Sequence, residues 1–475
     1  MKLGAPRSWR RLLFAALCAF GLGAHPAYAI SLKAAIKVAL EANPEIGEAI
    51  ANREALEFEL KQARGLYLPK LDIEGRYGAQ NFDSPGTRSS GTDDDVLDRR
   101  EFSAIVTQRL FDGFNRRGER DRQASRVDSA SHRVYERSEF IALSVIRQYL
   151  EAGRLLKVVD LSRSNLAYHK RVLADLKDGE TSGSISVADR QQVEERMFAA
   201  DARLIESLED LNAARIRFFK LVGLPLENHQ TPPRASAALP PTLSDALAVA
   251  RSNNPRIKVA RSDLDAAYAR SKQARSEFLP KIDFELRGRS GQELDGVRGR
   301  EEELRAEVIL RWNLFKGGID SANKQKQLRR VDEERYGLQR AHREIEEAVR
   351  LAWNRRQLQR RRLNRLNDQL ASVTRLTESY SEQFKVGDRS LLDLLDTQNT
   401  RFNTQVNVET AASDLMFTEY RVLASIGMLL KKMNIEAPEQ SSGYARDEYR
   451  VPATPDGEIG RRRKPGHRLF RRNAQ

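Results

Sequence analysis

The chain carries an internal repeat, and that repeat restricts its fold more than any other feature. Ser31-Leu32 through Asn43-Pro44-Glu45-Ile46 (SLKAAIKVALEANPEI) aligns with Thr242-Leu243 through Asn254-Pro255-Arg256-Ile257 (TLSDALAVARSNNPRI). The same offset aligns Leu68-Pro69-Lys70-Leu71-Asp72 with Leu279-Pro280-Lys281-Ile282-Asp283. After a short insertion in the first copy, Leu110-Phe111-Asp112-Gly113 meets Leu314-Phe315-Lys316-Gly317, and Tyr149 meets Trp353. Gly183 then meets Gly387, Asp189 meets Asp393, and Val222-Gly223 meets Ile426-Gly427. Matches that hold their order through separated glycines and prolines mark a duplication. The expected organisation is repeat 1 over 30–222, a linker over 223–241 and repeat 2 over 242–430.

Each copy has the same order of elements. A helix is expected first, about 31–66 and 242–278, capped by Ser31 or Thr242 and ending ahead of Pro69 or Pro280. Strands follow at about 70–78 and 281–289, where apolar and charged residues alternate, as in Ile282-Asp283-Phe284-Glu285-Leu286-Arg287. Polar loops over 78–100 and 290–303 lead to second strands at about 101–110 and 304–314. In the last of these, Leu304, Ala306, Val308, Leu310, Trp312 and Leu314 alternate with Arg305, Glu307, Ile309, Arg311 and Asn313. Burying that charged face would be costly, so it is expected to meet water while the apolar face is free to meet lipid. After Gly113 and Gly317 the pattern is helical for a long stretch, broken near 177–184 and 386–388. Apolar steps of three and four, such as Ile141, Val145, Tyr149 and Ala152, predict coiled-coil packing. A helix over 114–177 would be roughly 95 Å long.

The first residues read as a secretory signal over 1–29, with Arg7, Arg10 and Arg11, an apolar core from Leu12 to Gly23, and Ala27-Tyr28-Ala29 before the cleavage point. The single cysteine, Cys18, falls inside it, so the mature chain is expected to have neither a disulfide nor a cysteine-ligated metal. The formal charge is +14, from 81 basic and 67 acidic residues. Much of that surplus sits in the signal and in the tail, where Arg461, Arg462, Arg463 and Lys464 run together, so a nucleic-acid partner is not implied. Residues 431–475 are expected to form a basic, disordered C-terminal tail.

No apolar run in the mature chain is long enough for a transmembrane helix, which leaves a β-barrel as the way for an exported chain to span a membrane. Four strands cannot close one, so two or three chains are expected to share it. The corner Phe384 to Thr400 (FKVGDRSLLDLLDTQNT) is the tip of a long helical hairpin, with Asp393 and Asp396 on one helix face. On spacing alone, two such carboxylates complement the helix macrodipole and face water.

The duplicated helix-strand-strand-helix order, the Asn-Pro near each repeat start, LPK before the first strand, LFDG and LFKGG after the second, and VGDRSLLDLLDTQN resemble the TolC-type outer-membrane efflux proteins over about 30–430. The resemblance implies an α+β membrane protein: a homotrimer with a twelve-stranded outer-membrane barrel, continued in the periplasm by an α-helical coiled-coil barrel. It also implies a periplasmic adaptor and an inner-membrane transporter, ABC or proton-driven, as partners. The run LLDLLDTQNTRFNTQ is similar to the branch serving type I protein secretion; a proton-driven multidrug pump is the alternative within the family. By resemblance, Asp393 and Asp396 ring the periplasmic entrance, where carboxylates favour cations. Arg389 and Asp189 match the positions of the ion pair that ties the closed entrance. Phe384 stands where the family has a gate tyrosine and Ala188 where it has a threonine, so two hydroxyls are lost. Gly183, Val386 and Gly387 match the adaptor-docking tips, although Thr181-Ser182-Gly183 departs from the Val-Gly pattern.

On the strands, Phe284, Leu286, Val308, Leu310 and Trp312 are expected to face lipid, and Glu285, Arg287, Glu307 and Arg311 the lumen. No catalytic role or cofactor is expected: His132, His169, His229 and His342 lack metal-ligand spacing, and there is no P-loop or nucleophile elbow. A periplasmic coiled-coil adaptor would explain the hairpins but not two pairs of amphipathic strands. A basic filament that binds anionic surfaces fits neither the signal nor the nearly balanced body.

Overall fold

A computed structural model describes residues 30–181 and 186–454. The expected signal peptide, Gly183 of the first hairpin tip and residues 455–475 of the tail lie outside them. The first copy runs α1 (Leu32–Ala42), α2 (Pro44–Gly65), β1 (Lys70–Asn81), α3 (Pro85–Ser90), β2 (Val96–Phe111), α4 (Asn115–Thr181) and α5 (Val187–Val222). The second runs α6 (Leu243–Asn253), α7 (Pro255–Gln273), β3 (Lys281–Gln292), β4 (Arg300–Arg311), α8 (Ile319–Lys385) and α9 (Leu391–Ser425). Two short helices follow, α10 (Leu429–Lys432) and α11 (Ala445–Glu448).

The opening helix of each copy is two helices where one was expected. Asn43 and Asn254 are extended, and their side chains accept from the amides of Glu45 and Arg256 at 2.9 and 3.0 Å. Pro44 and Pro255 then occupy the first helical position, where a missing N–H costs nothing. The Asn254 amide also donates to the Ser425 carbonyl at 2.9 Å. This approach is so close that a Cβ on Gly427, whose φ is +70°, would lie 2.8 Å from the Asn254 Cα.

The chain divides into two units. One comprises Leu40–Ser144, Ala235–Arg362 and the residues from Asp414 onward, and contains the sheet. Its four strands are antiparallel in the order β1-β2-β3-β4, so the two copies join at β2 and β3. All four differ from their expected spans. β1 and β3 run on to Asn81 and Gln292, β2 starts at Val96 and β4 at Arg300, and the intervening loops shrink accordingly. In the first loop, Ser84 and Thr87 form a reciprocal capping box that starts α3. β4 ends at Arg311, so Trp312 lies beyond the strand, its indole N–H donating to the Phe278 carbonyl at 3.2 Å.

Helices of this unit pack through Leu60, Ala124, Val127 and Ala445, and through Ile257, Leu264, Val331 and Leu338. As far as Thr454 the tail does not follow its composition. Instead of a disordered segment from 431, the described part folds onto buried carboxylates. Glu139 accepts from the Leu429 and Leu430 amides at 3.2 and 3.1 Å, capping α10. Asp128 accepts from the amides of Tyr444, Ala445 and Arg446 at the start of α11. Asp265 accepts from Thr454 N at 2.7 Å and lies 2.6 Å from the Arg446 guanidinium. Composition counted the tail's charges; the partners that hold it stand on helices far away in sequence.

The other unit comprises the residues up to Ala39, Val145–Arg234 and Leu363–Ser413. Here the Tyr149 hydroxyl lies 3.0 and 2.9 Å from the carbonyls of Ile30 and Gln230 and accepts from the Gln230 amide. His229 stacks on the Tyr149 ring at 4.5 Å, in the space a side chain at Gly153 would need.

Candidate channel entrance and membrane-facing sheet

α8 ends where Gly387 adopts φ +82°, and the amides of Gly387 and Asp388 return to the carbonyls of Phe384 and Gln383 at 3.1 and 2.9 Å. Ser390 then starts α9: the Asp393 amide donates to its hydroxyl at 3.2 Å, and the hydroxyl donates to the Asp393 carboxylate at 2.8 Å. Ser186 and Asp189 repeat this arrangement at the start of α5, at 3.2 and 2.7 Å. Asp189 and Asp393, matched by the repeat, thus both hold a helix start. Val386 is 72% exposed at the tip.

Behind the tip lies an apolar cluster of Leu173, Leu176, Val193, Leu391 and Leu395, with Val172, Met197 and Phe384 packed against it. Phe384 therefore serves packing where a tyrosine would offer a hydroxyl. The hydroxyl-bearing ring is Tyr380, one turn back, and the Arg389 guanidinium stands 4.3 Å from its centroid. Arg389 also donates to Gln383 at 3.1 Å and lies 3.7 Å from Asp393. Within one chain, among the described residues, no ion pair joins Arg389 to Asp189.

Asp396 has a partner that sequence reasoning missed. The Arg196 guanidinium on α5 donates to its carboxylate at 3.1 Å. The available signal was spacing: Arg196 stands two helical turns past Asp189 and so shares its face. Next to this pair is a buried polar layer. Gln398 donates to Asn165 at 3.0 Å, and His169 is buried, with Tyr168 edge-on to its ring at 5.5 Å. Burial, and then the charge of Arg196, push the His169 pKa below its ordinary value. Among the described residues no group of three or more His, Cys, Asp or Glu side chains could hold a metal.

The sheet separates two chemistries by face. Residues directly opposite each other across a ladder share a face. The pairs Leu71↔Val106, Val106↔Leu286, Phe284↔Val308 and Ile282↔Leu310 carry one apolar face across all four strands. Leu71, Ile73, Tyr77, Phe102, Leu304, Val308 and Leu310 are exposed on it. The other face carries Glu285↔Glu307 and Arg287↔Arg305. Two acids are buried there among arginines: Glu101 beside Arg76, Arg99, Arg287 and Arg289, and Asp283 at 2.9 and 3.0 Å from Arg109 and Arg311. No helix among the described residues is long and apolar enough to cross a membrane.

An antiparallel sheet that exposes an apolar face and keeps its charges on the other has the face pattern of transmembrane β-barrel strands. The sequence profile of the family described as "Outer membrane efflux protein" matches residues 35–224 and 246–428. The outer membrane efflux protein BepC of Brucella suis is 23% identical over 83% of this chain and 86% of its own. The alkaline protease secretion protein AprF of Pseudomonas aeruginosa is 24% identical over 85% of each. In fold, the crystal structure of the Campylobacter jejuni CmeC outer membrane channel matches with a TM-score of 0.73 at 15% identity, over 88% of this chain and 89% of that one. The chain belongs to the outer membrane efflux protein family: it is an outer-membrane protein and provides an exit duct.

Proposed function

We propose that three copies of this chain close their sheets into one twelve-stranded outer-membrane barrel, continued into the periplasm by a helical tunnel. The observation that carries this reading is the sheet, which has an exposed apolar face and ends at β1 and β4. Unpaired edge amides are not tolerated in hydrocarbon, and four strands are too few to enclose a lumen. The repeats 30–222 and 242–430 each supply one strand pair per copy, joined through the linker 223–241. Phe284, Leu286, Val308 and Leu310 face lipid, and Trp312 sits at the strand foot, where amphipathic rings collect at the interface. Glu285, Arg287, Glu307 and Arg311 line the lumen.

The hairpin tips form the periplasmic entrance. Asp393 and Asp396 ring it, Arg389 reaches Asp189 of a neighbouring copy, and Phe384 packs behind the link. An adaptor docks at Val386 and Gly387 and at the matching Gly183, and an inner-membrane transporter supplies the energy. The run LLDLLDTQNTRFNTQ and the likeness to AprF support protein export of type I as the cargo path. The broader efflux family supports the second reading, the outer-membrane part of a proton-driven multidrug pump.

The test is the purified protein in detergent and in planar bilayers. A trimeric mass that collapses to monomer only on heating, together with ion conductance, is the expected result. A monomeric, non-conducting species sinks the proposal.

A further inference from the structure

We propose that Arg196 sets the ionic selectivity of the entrance by neutralising Asp396, which leaves Asp393, freed when Arg389 reaches the neighbouring copy, as the carboxylate that cations meet in the resting channel. This rests on the reading that the two aspartates line the throat. The guanidinium reaches Asp396 at 3.1 Å from another helix of the same chain, so each copy of the carboxylate arrives with its own counter-charge. Asp396 makes no helix-start contact comparable to the tie between Asp393 and Ser390. Its side chain is 58% exposed, so it is open to ions and yet paired.

Arg196 is the cation in contact with Asp396. His169, the nearby titratable base, is buried and held toward its neutral form by burial and by Arg196 itself. The hydrocarbon stem of Arg196 is only partly exposed, and its Nε lies buried without a hydrogen-bond partner. Glu195, next to it in sequence, stands 3.6 Å from that Nε. The arginine therefore lies against both carboxylates at once, through Nη2 to Asp396 and Nε to Glu195.

Reversal potentials across a KCl gradient and block by hexamminecobalt, added from the periplasmic side, test this in the purified full-length channel. Arg196→Gln is expected to raise cation preference and to lower the half-blocking concentration several-fold. Arg196→Lys, which keeps the charge, should stay close to the parent channel. Arg196→Gln combined with Asp396→Asn removes the pair with no change in its net charge and should stay close to the parent channel, whereas Asp396→Asn alone should lower cation preference. If Arg196→Gln leaves both readouts unchanged while Asp393→Asn with Asp396→Asn loses cation preference, the masking role is overturned and the throat stands. If the paired aspartate variant also leaves selectivity untouched, the throat reading fails and takes this proposal with it.

Discussion

Arg389 and Asp189 each already have partners on their own hairpin, which changes how a link between copies has to be tested. The Asp189 carboxylate accepts from the Ser186 hydroxyl that caps α5, so an alanine there would remove this side-chain contact along with any gate contact. Asparagine keeps an acceptor at that position. Arg389→Gln and Asp189→Asn are each expected to raise resting conductance in bilayers, and the double variant to open little further than either alone. Fully additive increases would separate the two residues energetically. Arg389 must leave Gln383, Tyr380 and Asp393 to reach a neighbour, contacts that are individually modest at exposed sites.

At the scale of elements, β4 offers the sharpest contrast, because adjacent residues fall on opposite faces. Leu310 is 61% exposed on the apolar face, while Glu307 pairs across the ladder with Glu285 on the charged one. Leu310→Arg is expected to impair assembly into the membrane, at a cost of about 2–4 kcal/mol near the bilayer midplane. Glu307→Arg should assemble normally and relieves a like-charge pair. Quantifying the heat-modifiable species in outer-membrane fractions checks both, and equal behaviour would mean the register assigned to β4 relative to lipid is wrong. The tail segment is the counterpart among the helices. Buried Asp128 and Asp265 act as sockets for α11 and Thr454, and a carboxylate left unpaired in such a place is costly.

For the whole molecule, one group that couples stability to pH is Glu139. Burial pushes its carboxyl up to about 7, against the opposing effect of the Leu430 and Leu429 amides. A raised carboxyl pKa means that folding favours the protonated form. Its contribution is full below the ordinary value of 4.5 and is lost as the pH climbs through about 7. The thermal midpoint of detergent-extracted Glu139→Gln is therefore expected to gain on that of the parent protein as the pH climbs through that window. An unchanged slope in the variant would show that Glu139 is not the group responsible.

What the sequence by itself determined is whatever is written in local periodicity. The period-two alternation of Leu304, Ala306, Val308 and Leu310 specifies a two-faced strand wherever it sits, and the repeated Asn-Pro marks the same corner in both copies. The corner before Ser390 was legible for the same reason, since caps are short-range chemistry. Tertiary structure decided the partners. Arg196 meets Asp396, Asp128 meets the start of α11, and Glu101 collects arginines from three strands. It also decided that β4 stops at Arg311, leaving Trp312 to bond to Phe278, and that Phe384 fills a core where a hydroxyl would have reached outward. Periodicity says which way a side chain points; it does not say which distant segment will stand opposite. That depends on how the helices and strands pack, where the desolvation of each buried charge must be offset by a partner brought in from elsewhere in the chain.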